Sequence, residues 1–200
     1  MECLKVRDIM IPLAQYPIVS EASSFHETVL ALKVAQRQFG LDHDTPNTIL
    51  VFNKEGGIVG QIDYWDLMRA MEPGYANMGY PRQIIDRECS HCEFPGSILR
   101  TYGLWREPLQ ELCDKSAEVT ASEIMRPITA MERIEEQACM NEAINSMIMR
   151  HLGLMLVTHG DAAVGVLRFA DVAKENLFKI EDCRVPLMEG SEEQPDTLAA

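Results

Sequence analysis

Residues able to hold a metal or act as nucleophiles are few and scattered along this chain. Cys89, His91 and Cys92 stand in one Cys-Ser-His-Cys run, with Cys113 further on. Two cysteines at this spacing, a histidine and a distant thiol are four possible zinc ligands, since thiolate and imidazole are the donors zinc prefers. No second Cys-x-x-Cys completes the pattern, and His91 would have to face the same ion as both neighbours, so Cys89, His91, Cys92 and Cys113 are weak metal candidates. A redox pair is the other chemistry open to this spacing. The six cysteines are Cys3, Cys89, Cys92, Cys113, Cys139 and Cys183, and they are expected as free, packed or surface thiols and not as a disulfide framework. His26, His43, His91, His151 and His159 have no metal spacing. There is no P-loop, no dinucleotide Gly-x-Gly-x-x-Gly and no Gly-x-Ser-x-Gly, so no enzyme motif is present. Asp63 stands immediately before a helical pattern with Asp66 three residues later, which is ordinary N-cap and first-turn chemistry. Asp171 fits the same role later in the chain, and Arg168 there reads as a solvated or surface-paired residue.

The elements that position these residues come as two copies. Ile9-Met10-Ile11-Pro12 recurs as Ile124-Met125-Arg126-Pro127, an offset of 115 at which Phe25, Glu27, Val29 and Leu32 fall on Met140, Glu142, Ile144 and Met147. At an offset of 105, Ile49-Leu50-Val51-Phe52 falls on Leu154-Met155-Leu156-Val157, Val59-Gly60 on Val164-Gly165 and Asp66 on Asp171. The change of offset gives the first copy ten more residues, around 36–47, in a stretch whose Gly40, Asp42, Asp44 and Pro46 read as a loop. Each copy predicts an extended piece (17–20; 128–131), a helix whose apolar positions recur at helical spacing, two short strands (48–53 and 58–62; 154–158 and 163–167) and a closing helix (64–71; 170–178). Ser24 with Glu27 suits a capping box, and Gly56-Gly57 and Gly160-Asp161 suit hairpin turns. Trp65 and Trp105 are read as packing residues.

This duplicated order, opened by Ile-Met-x-Pro and closed by a Gly-x-apolar-x-x-x-Asp junction, resembles the CBS domain, named after cystathionine β-synthase, whose members occur as tandem pairs. The resemblance covers about residues 4–72 and 120–180. It implies an α+β fold in which two α/β-type repeats, each a small sheet with two helices, pack into one pseudo-two-fold module. The divisions expected are repeat 1 at 1–72, a partly helical insertion at 73–120, repeat 2 at 121–182 and an acidic disordered tail at 183–200. Within the insertion, 81–92 and 108–119 suit short helices that start near a proline.

The resemblance further implies two clefts able to hold adenosine compounds. Asp66 and Asp171 take the place of the family's ribose ligands, and an ionised carboxylate can accept two hydrogen bonds from a vicinal diol. Ile18, Val19, Ile128 and Thr129 are the corresponding candidates to line the adenine slots, and Gly60 and Gly165 would let backbone approach a ligand closely. The family's phosphate-binding Ser/Thr position is Asp63 in repeat 1 and Arg168 in repeat 2. A carboxylate repels phosphate and a guanidinium attracts it, so the two clefts are expected to prefer different ligands. The function implied is a regulatory module that binds AMP, ADP, ATP or S-adenosylmethionine without an obligatory cofactor. It would act as a homodimer and signal to a protein partner not identified by sequence. A ligand-free docking module and a thiol or metal sensor built on Cys89 and Cys92 are the alternatives.

The net charge of −13 argues against binding along a nucleic-acid backbone, which needs Lys/Arg patches. An apolar share of 46% suits a chain with a real core. The absence of a long apolar run and of an apolar start places the expected location in the cytoplasm, away from membranes.

Overall fold

A computed structural model describes residues 4–39, 46–72, 74–75 and 99–181. Repeat 1 runs β1 (Ile11–Pro12), β2 (Ile18–Ser20), α1 (Phe25–Phe39), β3 (Thr48–Phe52), β4 (Ile58–Asp63) and α2 (Tyr64–Met71). Helices α3 (Leu109–Ser116) and α4 (Ala121–Ile124) lie between α2 and the next strand. Repeat 2 continues with β5 (Arg126–Pro127), β6 (Arg133–Glu135), α5 (Met140–Arg150), β7 (Leu154–His159), β8 (Ala162–Arg168) and α6 (Phe169–Glu181). The mixed α/β architecture with two small sheets is the one the duplicated order implies.

Local chemistry starts the helices where the sequence places them. Before α1 the Ser24 N–H donates to Glu27 Oε2 at 2.8 Å and the Glu27 N–H returns to Ser24 Oγ at 3.3 Å, a capping box. Thr120 and Glu123 repeat the device before α4. Pro108 stands just before α3, which packs against α2 and buries Leu112. The helix predicted at 81–92 and the tail at 183–200 lie outside the described residues.

The sheets exchange their edges. Their strand orders are β1-β8-β7-β6 and β2-β3-β4-β5, so the short strand of each Ile-Met-x-Pro segment pairs with the other repeat's sheet. Val6, just before the first such segment, is buried in the core of repeat 2 with Met140, Met147, Met155 and Leu167. Ala121, at the matching place, is buried in the core of repeat 1 with Phe25, Leu32, Ile49 and Ile62. A third cluster lies between the repeats, where Leu50, Ile58, Ile128, Leu154, Leu156 and Val166 meet. Each sheet thus has one apolar face under its own helices and one against its sibling.

Three sequence expectations need correction. The strand of repeat 2 that matches Ile18–Ser20 is Arg133–Glu135, because both run parallel to the first hairpin strand of their repeat. Residues 130 and 131, read from sequence as part of an extended piece, belong to a 3₁₀ turn at 130–132 that Glu132 caps through the Thr129 N–H. Secondly, Val51 pairs with Gly60 and Val157 with Gly165, so the first hairpin strands match at an offset of 106 and not 105. Repeat 1 therefore has nine extra residues before β3, and the tenth sits in its longer hairpin. Thirdly, Cys139 is disulfide-bonded, to a partner outside the described residues, where free thiols are expected. The chain start folds back to it, since Lys5 bridges Cys139, a proximity that sequence separation hides. Cys113 is free and exposed. Among the described residues no helix is long and apolar enough to cross a membrane.

Candidate functional site

Each repeat ends its second hairpin strand on a charged residue where a helix begins, Asp63 after β4 and Arg168 after β8. The repeat packing brings these ends together, and both residues line one cleft of about 750 Å³ between the repeats. The sequence assigns them to two separate clefts; they share a wall space instead.

Asp63 is a helix cap. Its Oδ1 accepts the Asp66 N–H at 3.0 Å, and its own N–H donates to Asp66 Oδ2 at 3.0 Å. Burial raises the Asp66 pKa above the ordinary value of 3.8; the Asp63 N–H opposes the rise, and the Asp63 charge adds to it. Arg168 does not stand in solvent. Its Nε and Nη2 donate to the Asp171 carboxylate at 2.6 and 2.5 Å, a side-on fork between side chains only 10% and 18% exposed. In each repeat the carboxylate implied as a ribose ligand is already held by the neighbouring residue of the same junction.

A second polar group crosses the cleft. Glu132 is buried, yet its Oε1 accepts from Gln61 Nε2 at 3.0 Å and from Arg126 Nη1 at 2.8 Å, and its Oε2 from the Thr129 N–H and hydroxyl at 2.9 Å. Gln61 belongs to β4 and Glu132 to repeat 2, so the carboxylate ties the repeats together. Burial alone would raise the Glu132 pKa, but the Thr129 donors and Arg126 outweigh it and hold it below the ordinary 4.5.

The cleft also contains residues that the sequence did not single out as ligands. Arg150, in the last turn of α5, is exposed on its wall and donates from Nη1 to the Met131 carbonyl at 3.0 Å, with no carboxylate partner among the described residues. Tyr64 and Trp65 line the cleft from the start of α2. Trp65 is 80% exposed, which corrects its reading as a packing residue. Trp105 does pack, edge to face with Tyr75 at 6.3 Å. Tyr16 lines the cleft with its ring buried, and its hydroxyl is buried without a hydrogen-bond partner among the described residues. Burial raises the pKa of that phenol strongly; Arg168 lowers it and Asp171 raises it. The Thr48 hydroxyl also bears on it, yet falls short of hydrogen-bond geometry.

The other sequence candidates lie elsewhere. Ile18 is half exposed on the edge strand β2, and Val19 is in the repeat 1 core. Ile128 is in the inter-repeat cluster, and Thr129 holds Glu132. None of these four lines the cleft. Gly60 and Gly165 make room for the chain's own lead-in segments and not for a ligand. A Cβ on Gly165 would come within 2.7 Å of the Ile11 carbonyl oxygen, and one on Gly60 within 2.5 Å of Met125 Sδ. Among the described residues no cluster of three His, Cys, Asp or Glu side chains could hold a metal. Cys89, His91 and Cys92 lie outside those residues.

No protein-family model and no curated protein matches the sequence. Solved structures do match the fold. CBSX2 in complex with AMP superposes with a TM-score of 0.53 at 16% identity, over 88% of this chain and 98% of that one. A putative acetoin utilization protein (AcuB) from Vibrio cholerae gives 0.56 at 14% identity, over 92% and 100% of the two chains. The CBS domain of a bacterial CNNM/CorC family Mg2+ transporter in complex with ATP gives 0.54 at 14% identity, over 86% and 87%. Together with the duplicated elements and the exchanged strands, these matches give the chain the fold of a tandem pair of CBS domains.

Proposed function

We propose that this chain is a regulatory module and not an enzyme, and that it binds an adenine nucleotide in the cleft between its repeats. The observation that carries this reading is Arg150, a cation on the cleft wall with no carboxylate partner among the described residues. It offers a phosphate group a charge-assisted contact that need not displace an internal ion pair. Asp63 repels phosphate at the repeat 1 side, so the phosphates run toward Arg150 and Arg168. Tyr64 and Trp65 supply an aromatic surface for the base. Asp171 does not line the cleft, and it serves the ligand by holding the Arg168 guanidinium in place. The AMP and ATP complexes of the similar folds support the same ligand class. Occupancy would shift the arrangement of the two repeats, and a homodimer would relay that shift to a partner protein.

A ligand-free docking module is the second reading. It is favoured by the mutual satisfaction of Asp63 with Asp66 and of Arg168 with Asp171, which leaves neither pair in need of a ligand.

Calorimetric titration of the full chain separates them. Arg150→Ala is expected to weaken ATP roughly tenfold, the loss of one charge-assisted contact, and to leave adenosine within about twofold. Equal losses for both compounds would remove Arg150 from the phosphate site. No heat with either compound in the unaltered chain would favour the docking module.

A further inference from the structure

The two repeats differ in chemistry at one matched place. Gln61 and Arg126 are directly opposite across β4 and β5, and the matching pair across β8 and β1 is Val166 and Ile11. Glu132 stands just before β6, where Pro17 stands just before β2. The pseudo-symmetry thus sets a polar trio, Gln61, Arg126 and Glu132, against an apolar one, Val166, Ile11 and Pro17. Val166 is fully buried and Ile11 packs against the inter-repeat cluster, so this place in the fold is filled well without charge. A buried ion pair commonly adds no stability over well-packed apolar side chains, even though removing one partner is costly. Packing therefore does not account for the charged version.

The geometry of the trio points to a ligand. Gln61 Nε2 and Arg126 Nη1 converge on Glu132 Oε1 at 3.0 and 2.8 Å, and Thr129 donates twice to Oε2. The carboxylate is saturated, fixed and only 7% exposed, whereas the Arg126 side chain that it anchors is 44% exposed and lines the cleft. A guanidinium has five N–H donors, so one bond to Glu132 leaves others for a ligand. Arg150 is moored to the adjacent residue through its bond to the Met131 carbonyl. Two cations lining the cleft are thus tied to consecutive residues of the 3₁₀ turn at 130–132, whose one carboxylate is already saturated. In a chain of net charge −13, this is a local excess of positive charge on one wall.

We propose that Arg126 and Arg150 form a two-cation clamp that selects ligands carrying two or more linked phosphates, with Glu132 and Gln61 as the positioning residues of Arg126. The proposal rests on the nucleotide reading above and narrows its ligand class from adenine nucleotides to their di- and triphosphates. Arg150 meets one phosphate and Arg126 the next, so a monophosphate engages only one of the two cations.

Calorimetric titration of the unaltered full chain with AMP, ADP and ATP is the first test. ADP and ATP are expected to bind roughly tenfold tighter than AMP, the difference that one charge-assisted contact makes. Arg126→Gln is the second, because it keeps an amide donor for Glu132 and removes the charge. It is expected to weaken ADP and ATP roughly tenfold and AMP by less than about threefold, so that the preference is lost. A purely structural role for Arg126 would lower all three alike. AMP binding the unaltered chain as tightly as ATP overturns the proposal and leaves the nucleotide reading standing. Unchanged ATP affinity in Arg126→Gln, or an equal loss for all three nucleotides, does the same. If the unaltered chain binds none of the three, the nucleotide reading falls and this assignment falls with it.

Discussion

Glu132 joins the two repeats through one carboxylate, and its chemistry makes that joint sensitive to acid. Its pKa is held below 4.5 in the folded chain, so the unfolded chain binds its proton more readily. A depressed carboxylate contributes stability that is complete above the unfolded value and disappears as pH falls through the folded one. Melting temperature is therefore expected to drop below about pH 4.5, and Glu132→Gln should flatten that part of the curve. At neutral pH the same variant is expected to lose about 2 kcal/mol, since Arg126 and Thr129 would keep their donors with a weaker acceptor. Asp66, raised by burial, acts in the opposite sense: its contribution is complete below the unfolded value and fades as pH rises through the folded one. Thermal melts across pH 3–7 on both proteins check this, and an unchanged acid limb in Glu132→Gln would contradict it. At this scale the sequence was informative only where the partners are close in the chain. The Asp63–Asp66 cap was legible from its spacing. The Arg168–Asp171 pair has the same spacing, but its fork depends on burial that spacing does not encode. Glu132 became visible only with the fold, because Gln61 reaches it from the other repeat, and Arg150 and Tyr16 because the cleft they line is built from both repeats.

The elements show why a correct list of strands still left their alignment one residue out. Thr48, Ile49, Leu50 and Val51 are all buried, as are Leu154 through Thr158, because one face of each strand meets its helices and the other meets the sibling sheet. A strand apolar on both faces shows no alternation, so its register cannot be read from periodicity. The hairpin that is one residue shorter in repeat 2 was invisible for the same reason. The two glycines were found, but their neighbours were not: each admits a lead-in segment of the opposite repeat. This difference gives a graded expectation. An added methyl at Gly165 meets the Ile11 backbone oxygen, which belongs to a paired strand and cannot turn aside. At Gly60 the nearest atoms are the Met125 side chain, whose free torsions let it yield. Gly165→Ala is expected to cost about 2–3 kcal/mol, as overpacking does, and Gly60→Ala about 1 kcal/mol or less. Urea denaturation of the two variants gives the order, and an equal or reversed cost would show that β1 is not pinned by Gly165.

At the scale of the whole molecule, the exchanged strands make one unit of two repeats that are otherwise similar in plan. The duplicated order was readable because helix periodicity and the Ile-Met-x-Pro segments survive divergence, whereas the exchange was not, since two-residue strands leave no pattern. The exchange also explains how the cleft can report its occupancy. Its walls come from both repeats, and Glu132, Arg168 and Tyr16 bring side chains of different repeats to a common space. A ligand bound there favours the folded, assembled state over the unfolded chain. The most direct test is the thermal stability of the full chain against AMP, ADP, ATP, adenosine and S-adenosylmethionine. A compound that binds only the folded state adds about 2.7 kcal/mol at a hundred times its Kd. The account predicts melting temperatures that rise with concentration for the phosphorylated compounds, and most for ATP. No shift with any of the five would contradict it.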